Sequence, residues 1–336
     1  MNVQKMKRYA VTIGKLGLVA GLLYWMAQKG LISPEVTARA FRRLDLFLPT
    51  CLFLLATNLL SMARWHWLLT AQGIRITLGH TVQLSFIGSF FNVMLPGAVS
   101  GDFVKAYYVG IASDGRRGHA FGSILFDRVV GLSALALVSA TALALEWDEL
   151  KGTPVLSALR LFVASAAIAV VCGLSYLFLL KERHDPVFRL LNHYKGRGKL
   201  FKSLFGIYEG IRSYHSHRLI SAGALVISAG IHAAVCLSFY WFAKALEIDL
   251  PFQQVFVVVP LGLLITAIPV APAGIGTGHA GFLWLFGLLG TNRGADLFTL
   301  FVLNNLFTAA IGGIAYLAYR SRHPHAGKEF APNANG

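Results

Sequence analysis

Residues 92–105 read Asn-Val-Met-Leu-Pro-Gly-Ala-Val-Ser-Gly-Asp-Phe-Val-Lys. Pro96 and Gly97 disfavour a continuous helix here, because proline lacks a backbone donor and glycine is costly to order. Apolar residues flank the stretch on both sides. However, the apolar segment 106–111 is far shorter than the about 20 helical residues that cross a bilayer. The pattern therefore predicts a re-entrant hairpin over residues 81–111, which enters the membrane, breaks and returns to the side it came from.

Polar and charged residues surround this break. Asn92 precedes it, and Ser100, Asp102 and Lys105 follow it directly. Non-helical backbone at membrane depth is tolerated only where protein or a water-filled cavity surrounds it. Ionisable side chains at such depth mark functional sites. We therefore expect these four residues to bind a substrate.

The composition excludes a soluble globular protein. Hydrophobic residues make up 56% of the 336 residues and charged residues only 13%. Lysine and arginine number 30 against 15 aspartate and glutamate, a formal charge of +15, and most of the excess lies between apolar runs. This distribution is typical of the positive-inside rule. We therefore expect anionic headgroups of the cytoplasmic leaflet, and not nucleic acid, as the partner of the basic loops.

The apolar runs predict an all-α polytopic membrane protein with six spanning helices. The predicted spans are 9–27, 46–69, 121–145, 155–180, 219–245 and 297–319. Between the fourth and fifth spans, residues 181–218 are basic, with apolar residues at helical spacing, which favours an amphipathic segment on the membrane surface.

A second broken hairpin is predicted over residues 254–290. Its break contains two prolines and three near-adjacent glycines, followed by a histidine, and its return arm is again too short to cross. From this break we take Gly274, Gly276, Thr277 and His279 as candidate substrate-binding residues. A histidine that only packs and hydrogen-bonds is the alternative for His279.

The order of these elements predicts an inverted repeat. Residues 1–151 contain three spans and one hairpin, residues 152–320 contain the same set, and residues 321–336 form a polar tail that we expect to be disordered. With both termini in the cytoplasm, most basic loops lie inside and the two hairpins enter from opposite sides. Paired broken helices in inverted repeats are typical of transporters. Ordinary spans kinked by proline and glycine are the alternative.

Three further charged residues belong to the predicted site. Arg64 lies near the end of the second span, and Asp127 and Arg128 lie near the start of the third. Neighbouring residues on a helix point about 100° apart, so we expect one of these last two to pair with the hairpin. Arg64 has an alternative interpretation as an interfacial arginine that reaches the headgroups.

Together the cations and the exposed helix ends suit an anion such as a phosphate. Asp102 and Asp127 hold the cations in place, carry a coupling proton, or form purely structural ion pairs; the sequence leaves these roles open. The three cysteines lie in apolar runs without a CxxC motif. We expect no metal site and no cofactor.

Three motifs carry a resemblance to a known family: residues 95–102 (Leu-Pro-Gly-Ala-Val-Ser-Gly-Asp), 127–132 (Asp-Arg-Val-Val-Gly-Leu) and 272–276 (Pro-Ala-Gly-Ile-Gly). In order and spacing they resemble the membrane domain of bacterial lysylphosphatidylglycerol synthases and its stand-alone, flippase-like members. The likeness extends over residues 9–319. It implies movement of an anionic or aminoacylated phospholipid, or a lipid-linked phosphate, across the bacterial cytoplasmic (inner) membrane. Since the sequence reaches Gly336 without the synthases' soluble aminoacyltransferase domain, we expect no lipid aminoacylation.

Other functions stay open at this stage. An intramembrane enzyme that acts on a lipid phosphate would use Asp102 or Asp127, but no paired-carboxylate, HExxH or Ser-His-Asp pattern supports catalytic residues. The chain is therefore expected not to be an enzyme. A scaffold that recruits a lipid-modifying enzyme, a homodimer and a small-solute carrier are further possibilities.

Overall fold

The computed structural model describes residues 34–94, 100–113, 116–145, 154–267 and 276–322. Over these residues the chain forms twelve α-helices and no β-strand. The helices are α1 (Pro34–Arg42), α2 (Leu44–Ala71), α3 (Leu78–Met94), α4 (Ser100–Ile111), α5 (Arg117–Leu145), α6 (Pro154–Leu179), α7 (Pro186–Tyr194), α8 (Lys199–Arg212), α9 (Arg218–Ala245), α10 (Phe252–Thr266), α11 (Thr277–Gly287) and α12 (Gly294–Arg322).

Five helices are long and apolar enough to cross a membrane. They cover Leu44–Ala71, Arg117–Leu145, Ala158–Leu179, Arg218–Ala245 and Gly294–Arg320. These helices coincide with five of the six predicted spans, so an all-helical, multi-pass membrane protein is confirmed. The remaining predicted span, 9–27, and the polar tail beyond residue 322 lie outside the described residues.

The first hairpin turns back on itself. Helices α3 and α4 have 17 and 12 residues, too few in either case to span a bilayer. Asn92 near the end of α3 accepts a 2.8 Å hydrogen bond from the backbone N–H of Gly101 at the start of α4. Further from the break, Gly88 of α3 lies against Lys105 of α4. The two helices are therefore antiparallel and adjacent, although the connecting residues 95–99 lie outside the described part of the chain.

The second hairpin has the same form. Helices α10 and α11 have 15 and 11 residues. Gly262 of α10 packs on Phe282 of α11, and Ile265 packs on Gly281, so the second helix again returns along the first. The connecting residues 268–275 lie outside the described residues.

Helix α12 lies beside both hairpins. Helix α3 contacts its later half, where the rings of His80 and Tyr319 are 5.9 Å apart and Phe86 abuts Gly312. Helix α11 contacts its first turns, where Phe282 and Phe298 are 4.9 Å apart. The two hairpins therefore flank opposite ends of one spanning helix.

The basic segment 181–218 forms two short helices, α7 and α8, rather than one. Asp185 caps α7 and Pro186 occupies its first position, which is where both residue types favour a helix start. Gly198 ends the connection with φ at 148°, a conformation that favours glycine. The two helices meet through Phe188 and Phe205, whose rings are 5.3 Å apart.

A fully buried carboxylate ties this segment to the end of α6. Asp185 accepts hydrogen bonds from the hydroxyls of Tyr176 (2.6 Å) and Tyr208 (2.7 Å). Arg212 lies with its Nε 3.3 Å from Asp185 Oδ2, and the two side chains are 1% and 0% exposed. The cluster thus joins α6, α7 and α8 through one aspartate.

Replacing Gly101 with alanine should disrupt the first hairpin. A Cβ atom at residue 101 would collide with the backbone carbonyl of Gly88, which cannot move aside as a side chain can. We expect a loss of about 1–3 kcal/mol of stability, read as a lower Tm in detergent. Gly79→Ala is the matched control, because nothing lies within 4 Å of a Cβ there. Equal Tm values for the two variants would contradict the close approach of α3 and α4.

The stabilisation provided by Asp185 should depend on pH. Burial alone would raise the pKa of its carboxyl, but the bonds from Tyr176, Tyr208 and the Phe188 backbone, with the charge of Arg212, hold that pKa below its ordinary value. A lowered pKa stabilises the folded state above about pH 4 and loses this effect as the pH falls through the folded-state pKa. The difference in Tm between wild type and Asp185→Asn should therefore shrink from pH 7 to about pH 3. A difference that does not vary with pH would contradict this account.

Candidate functional site

A polar cavity of about 290 Å³ lies beside the first hairpin, between α2, α3, α4 and α5. Its wall contains six of the predicted site residues, together with further polar and small side chains. The lining residues are Asn58, Ser61, Met62, Arg64, Trp65, Ser85, Gly88, Ser89, Asn92, Asp102, Lys105, Asp127, Arg128, Gly131 and Leu132. Residues from three separate parts of the sequence are therefore brought to one site.

One ion pair crosses from α2 to α5. The Nε and Nη2 atoms of Arg64 each lie 3.0 Å from Asp127 Oδ1, and the two side chains are only 7% and 14% exposed. Arg64 Nη1 donates to the Ser228 hydroxyl of α9. Arg64 is thus buried among three helices, with its guanidinium paired inside the protein.

A second ion pair crosses from α4 to α5. Arg128 Nε lies 2.6 Å from Asp102 Oδ2, and Lys105 Nζ lies 3.5 Å from the other carboxylate oxygen. Asp127 and Arg128 thus point to different helices. The sequence predicted that one of them pairs with the hairpin, and that residue is Arg128. The guanidinium of Arg128 is the open side of the site, with 45% of its side chain exposed.

Lys105 also contacts an aromatic ring. Its Nζ lies 4.2 Å from the ring centroid of Trp65, a distance at which the ring attracts a cation. Trp65 is 1% exposed, and its indole N–H donates to the Ser123 hydroxyl at 3.4 Å. The ammonium group is therefore held between a carboxylate and a fixed ring.

Asn92 and Ser100 connect the two arms of the hairpin. The Asn92 side chain accepts a hydrogen bond from the backbone N–H of Gly101, in the first turn of α4. The Ser100 hydroxyl donates to the Phe91 carbonyl at 3.0 Å. Both bonds use backbone groups that the helix ends leave without a partner. Asn92 lines the cavity, whereas Ser100 lies just outside its lining.

The charges of the cavity do not cancel. Arg64, Lys105 and Arg128 contribute three positive charges and Asp102 and Asp127 two negative ones, which leaves one positive charge. Arg64 is fully engaged, whereas within the described residues Arg128 uses only its Nε atom. Ammonium and guanidinium groups bind phosphate oxygens through short, charge-assisted hydrogen bonds. The site therefore suits an anionic group.

Gly276, Thr277 and His279, the described candidates from the second break, lie outside the lining of this cavity. His279 Nε2 is 3.2 Å from the Thr299 hydroxyl, and its ring meets the Phe298 ring edge-on. Gly276 adopts φ 92° at the start of α11, next to Thr277. Gly274 lies outside the described residues. His279 thus packs against α12 and lies within hydrogen-bond distance of it, and its role in substrate binding stays a prediction.

Several residues of the site were not identified from the sequence. Ser228 lies in an apolar run and carries no charge, whereas Trp65, between Arg64 and His66, fits the aromatic residues common at membrane interfaces, so neither was identified as part of the site. Ser61 precedes Arg64 by three residues, about one helical turn, and this spacing could have indicated Ser61 as a partner of Arg64. In the structure Arg64 Nη2 donates to the Ser61 hydroxyl at 3.4 Å. Among the described residues, no three His, Cys, Asp or Glu side chains are grouped as metal ligands would be.

These observations define a multi-pass helical membrane protein with a charged cavity at a broken hairpin. Residues 12–321 match the family described as "Lysylphosphatidylglycerol synthase TM region", and the chain belongs to that family. The resemblance drawn from its three motifs is therefore confirmed.

Two relatives extend over most of the chain. A UPF0104 membrane protein of Pyrococcus horikoshii is 25% identical over 291 residues, which are 81% of this chain and 84% of the relative. A UPF0104 membrane protein of Methanothermobacter thermautotrophicus is 23% identical over 277 residues, 78% of this chain and 77% of the relative. No solved structure matches the chain.

Removing one partner of the Arg64–Asp127 pair should destabilise the protein more than removing both charges. Arg64→Gln leaves the nearly buried carboxylate of Asp127 without its cation, which costs about 3–5 kcal/mol for a buried pair. The double variant Arg64→Gln with Asp127→Asn should recover much of this loss. Tm values of the two single variants and the double variant measure the coupling. Additive losses would show that the pair makes no net contribution.

Proposed function

We propose that this protein is a lipid flippase, which moves an anionic or aminoacylated phospholipid, or a lipid-linked phosphate, between the two leaflets. The observation that carries the proposal is the cavity with one excess positive charge, built at a hairpin break among membrane-spanning helices. Membership of a family named for the membrane region of a phospholipid-modifying synthase supports a lipid substrate.

The phosphate of the headgroup binds between Lys105 and Arg128. Asp102 forms ion pairs with both cations, and a phosphate competes for the same positive groups. At about 290 Å³ the cavity is at the small end of the range for ligand pockets, about 300–1,000 Å³, and accommodates a headgroup but not a whole lipid. The acyl chains therefore stay outside the cavity while the charged group crosses inside it.

The transport path requires a specific arrangement of the whole chain. We propose six spans in two inverted halves, residues 1–151 and 152–320, with both termini on the cytoplasmic side of a bacterial inner membrane. Hairpins at opposite ends of α12 support the inversion, because each then opens toward a different side of the membrane. The basic helices α7 and α8 support a cytoplasmic position for residues 181–218, which contain both of them.

The remaining site residues hold the binding groups in position. Arg64 and Asp127 fix α2 against α5, and Asn92 and Ser100 fix the two arms of the hairpin. These roles need no bond to be made or broken in the lipid, so the protein acts as a transporter rather than an enzyme and uses no cofactor. An enzyme partner that modifies the same lipid is compatible with this role.

Neutralising the phosphate-binding cations should slow transport. In liposomes that contain the purified protein, Lys105→Gln and Arg128→Gln should each lower the rate of movement of headgroup-labelled phosphatidylglycerol by about tenfold to a hundredfold, the range for one charged hydrogen bond. Lys244→Gln is the matched control, because Lys244 forms an exposed pair with Asp249 away from the cavity.

Transport assays with a panel of anionic and aminoacylated lipids separate the flippase from an enzyme or a non-transporting scaffold. Wild-type protein should move anionic or aminoacylated lipids in a protein-dependent way, with Lys244→Gln unchanged. If no lipid of the panel moves, or if all three variants slow transport equally, the proposed function is wrong.

A further inference from the structure

A second cavity, of about 240 Å³, is lined by several exposed apolar side chains. It is a groove between α2 and α12, bordered also by Phe41 of α1, and its walls are almost wholly apolar. Leu48 and Leu52 contribute one side and Phe307 and Ile311 the other. Both leucines are more than half exposed, at 54% and 58%. We call it the apolar groove; the site with Lys105 remains the polar cavity.

The apolar groove and the polar cavity adjoin along one face of α2. The last groove residue on this helix is Leu55, and the first cavity residue is Asn58, one helical turn further on. Residues that line the two spaces follow one another at intervals of three or four, which places them in a single stripe: Leu44, Leu48, Cys51, Leu55, Asn58 and Met62. An amphiphile lying along this stripe would meet polar groups at one end and hydrocarbon at the other.

The length of the groove suits an acyl chain. The groove residues Leu44 and Leu55 are eleven residues apart in one helix, which is about 17 Å along its axis. One leaflet contributes about 15 Å, half of the hydrocarbon core of a bilayer. A full-length acyl chain therefore fits beside α2 while the headgroup attached to it occupies the polar cavity.

A buried amide in the groove favours an occupant with hydrogen-bond acceptors. Asn304 lines the groove at 3% exposure, and its Nδ2 atom has no hydrogen-bond partner among the described residues. A glycerophospholipid carries ester oxygens next to its acyl chains, and these accept hydrogen bonds. Such a lipid matches both the apolar walls and the unpaired donor.

We infer that the apolar groove binds an acyl chain of the same phospholipid whose headgroup enters the polar cavity. This inference rests on the proposed function and narrows its substrate class. The substrate is a long-chain glycerophospholipid, recognised at both its phosphate and its tail. A free headgroup or a short-chain lipid lacks half of the contacts.

A bulky side chain placed in the apolar groove tests this inference through the transport rate. Leu52→Trp should lower the transport rate of phosphatidylglycerol with full-length chains by about tenfold, since a bulky ring occupies the space of the chain. The same variant should move a dihexanoyl analogue at the wild-type rate. Leu60→Trp is the matched control, because Leu60 is exposed on the same helix but lines neither space. Equal loss for both chain lengths, or for both variants, would overturn the inference.

A binding measurement separates failure of this inference from failure of the proposed function. Phosphatidylglycerol with a mid-chain diazirine should label residues 44–55 and 304–311 of the full-length protein, and Leu52→Trp should remove that label. Labelling of the groove without transport by the wild type would uphold the inference as a binding statement and refute the flippase. Transport without such labelling would refute the inference alone.

The same experiment identifies other occupants. Uniform labelling that includes Leu161 and Val226, exposed residues on α6 and α9, would indicate bulk lipid and overturn the inference. Disulfide trapping of a Leu48→Cys variant to a second copy, or to a cysteine introduced in residues 9–27, would show a protein segment in the groove and overturn it equally.

Discussion

Charge buried in hydrocarbon must be neutralised, and this constraint determines the arrangement around the first hairpin. Each arginine, lysine or aspartate at the centre of a membrane helix costs about 2.5–3.5 kcal/mol on insertion scales. Five such residues lie together here, and both carboxylates are paired with cations on another helix. Because Asp127 pairs with α2 and Arg128 with α4, helix α5 is fixed against both. Both pairs line the polar cavity.

Under the proposed function, the two ion pairs have different roles. The Arg64–Asp127 pair is enclosed and gains a third contact from Ser228, so it acts as a fixed part of the wall. The Asp102–Arg128 pair opens outward, with 45% of the arginine exposed, and under the proposed function a phosphate replaces the carboxylate there. Lys105, held over Trp65, has a contact to Asp102 that is longer than that of Arg128. The enclosed Arg64–Asp127 pair and the more exposed Asp102–Arg128 pair thus lie side by side.

The sequence predicted the elements well and their partners less well. Pro96 and Gly97 indicated the break, because both disrupt a local pattern that a single sequence displays. That Arg64 pairs with Asp127, 63 residues away, depends on how α2 packs against α5, and no local pattern contains that information. Ser228 and Trp65 were missed for the same reason. His279 was predicted to bind substrate because it follows the glycines of the second break, and in the structure it packs against Thr299 and Phe298 of α12. The basic segment was expected to be amphipathic; Pro186 marks where α7 begins, and Gly198 separates α7 from α8.

The central claim is that a lipid phosphate enters the membrane-embedded cavity between Lys105 and Arg128. A structure of the protein in a bilayer nanodisc of phosphatidylglycerol tests it most directly. The account predicts phosphate density within hydrogen-bond distance of Lys105 Nζ and of the free nitrogens of Arg128, with Asp102 displaced from at least one of them. Phosphate density confined to the membrane surfaces, with the Asp102–Arg128 pair intact and only water in the cavity, would contradict it.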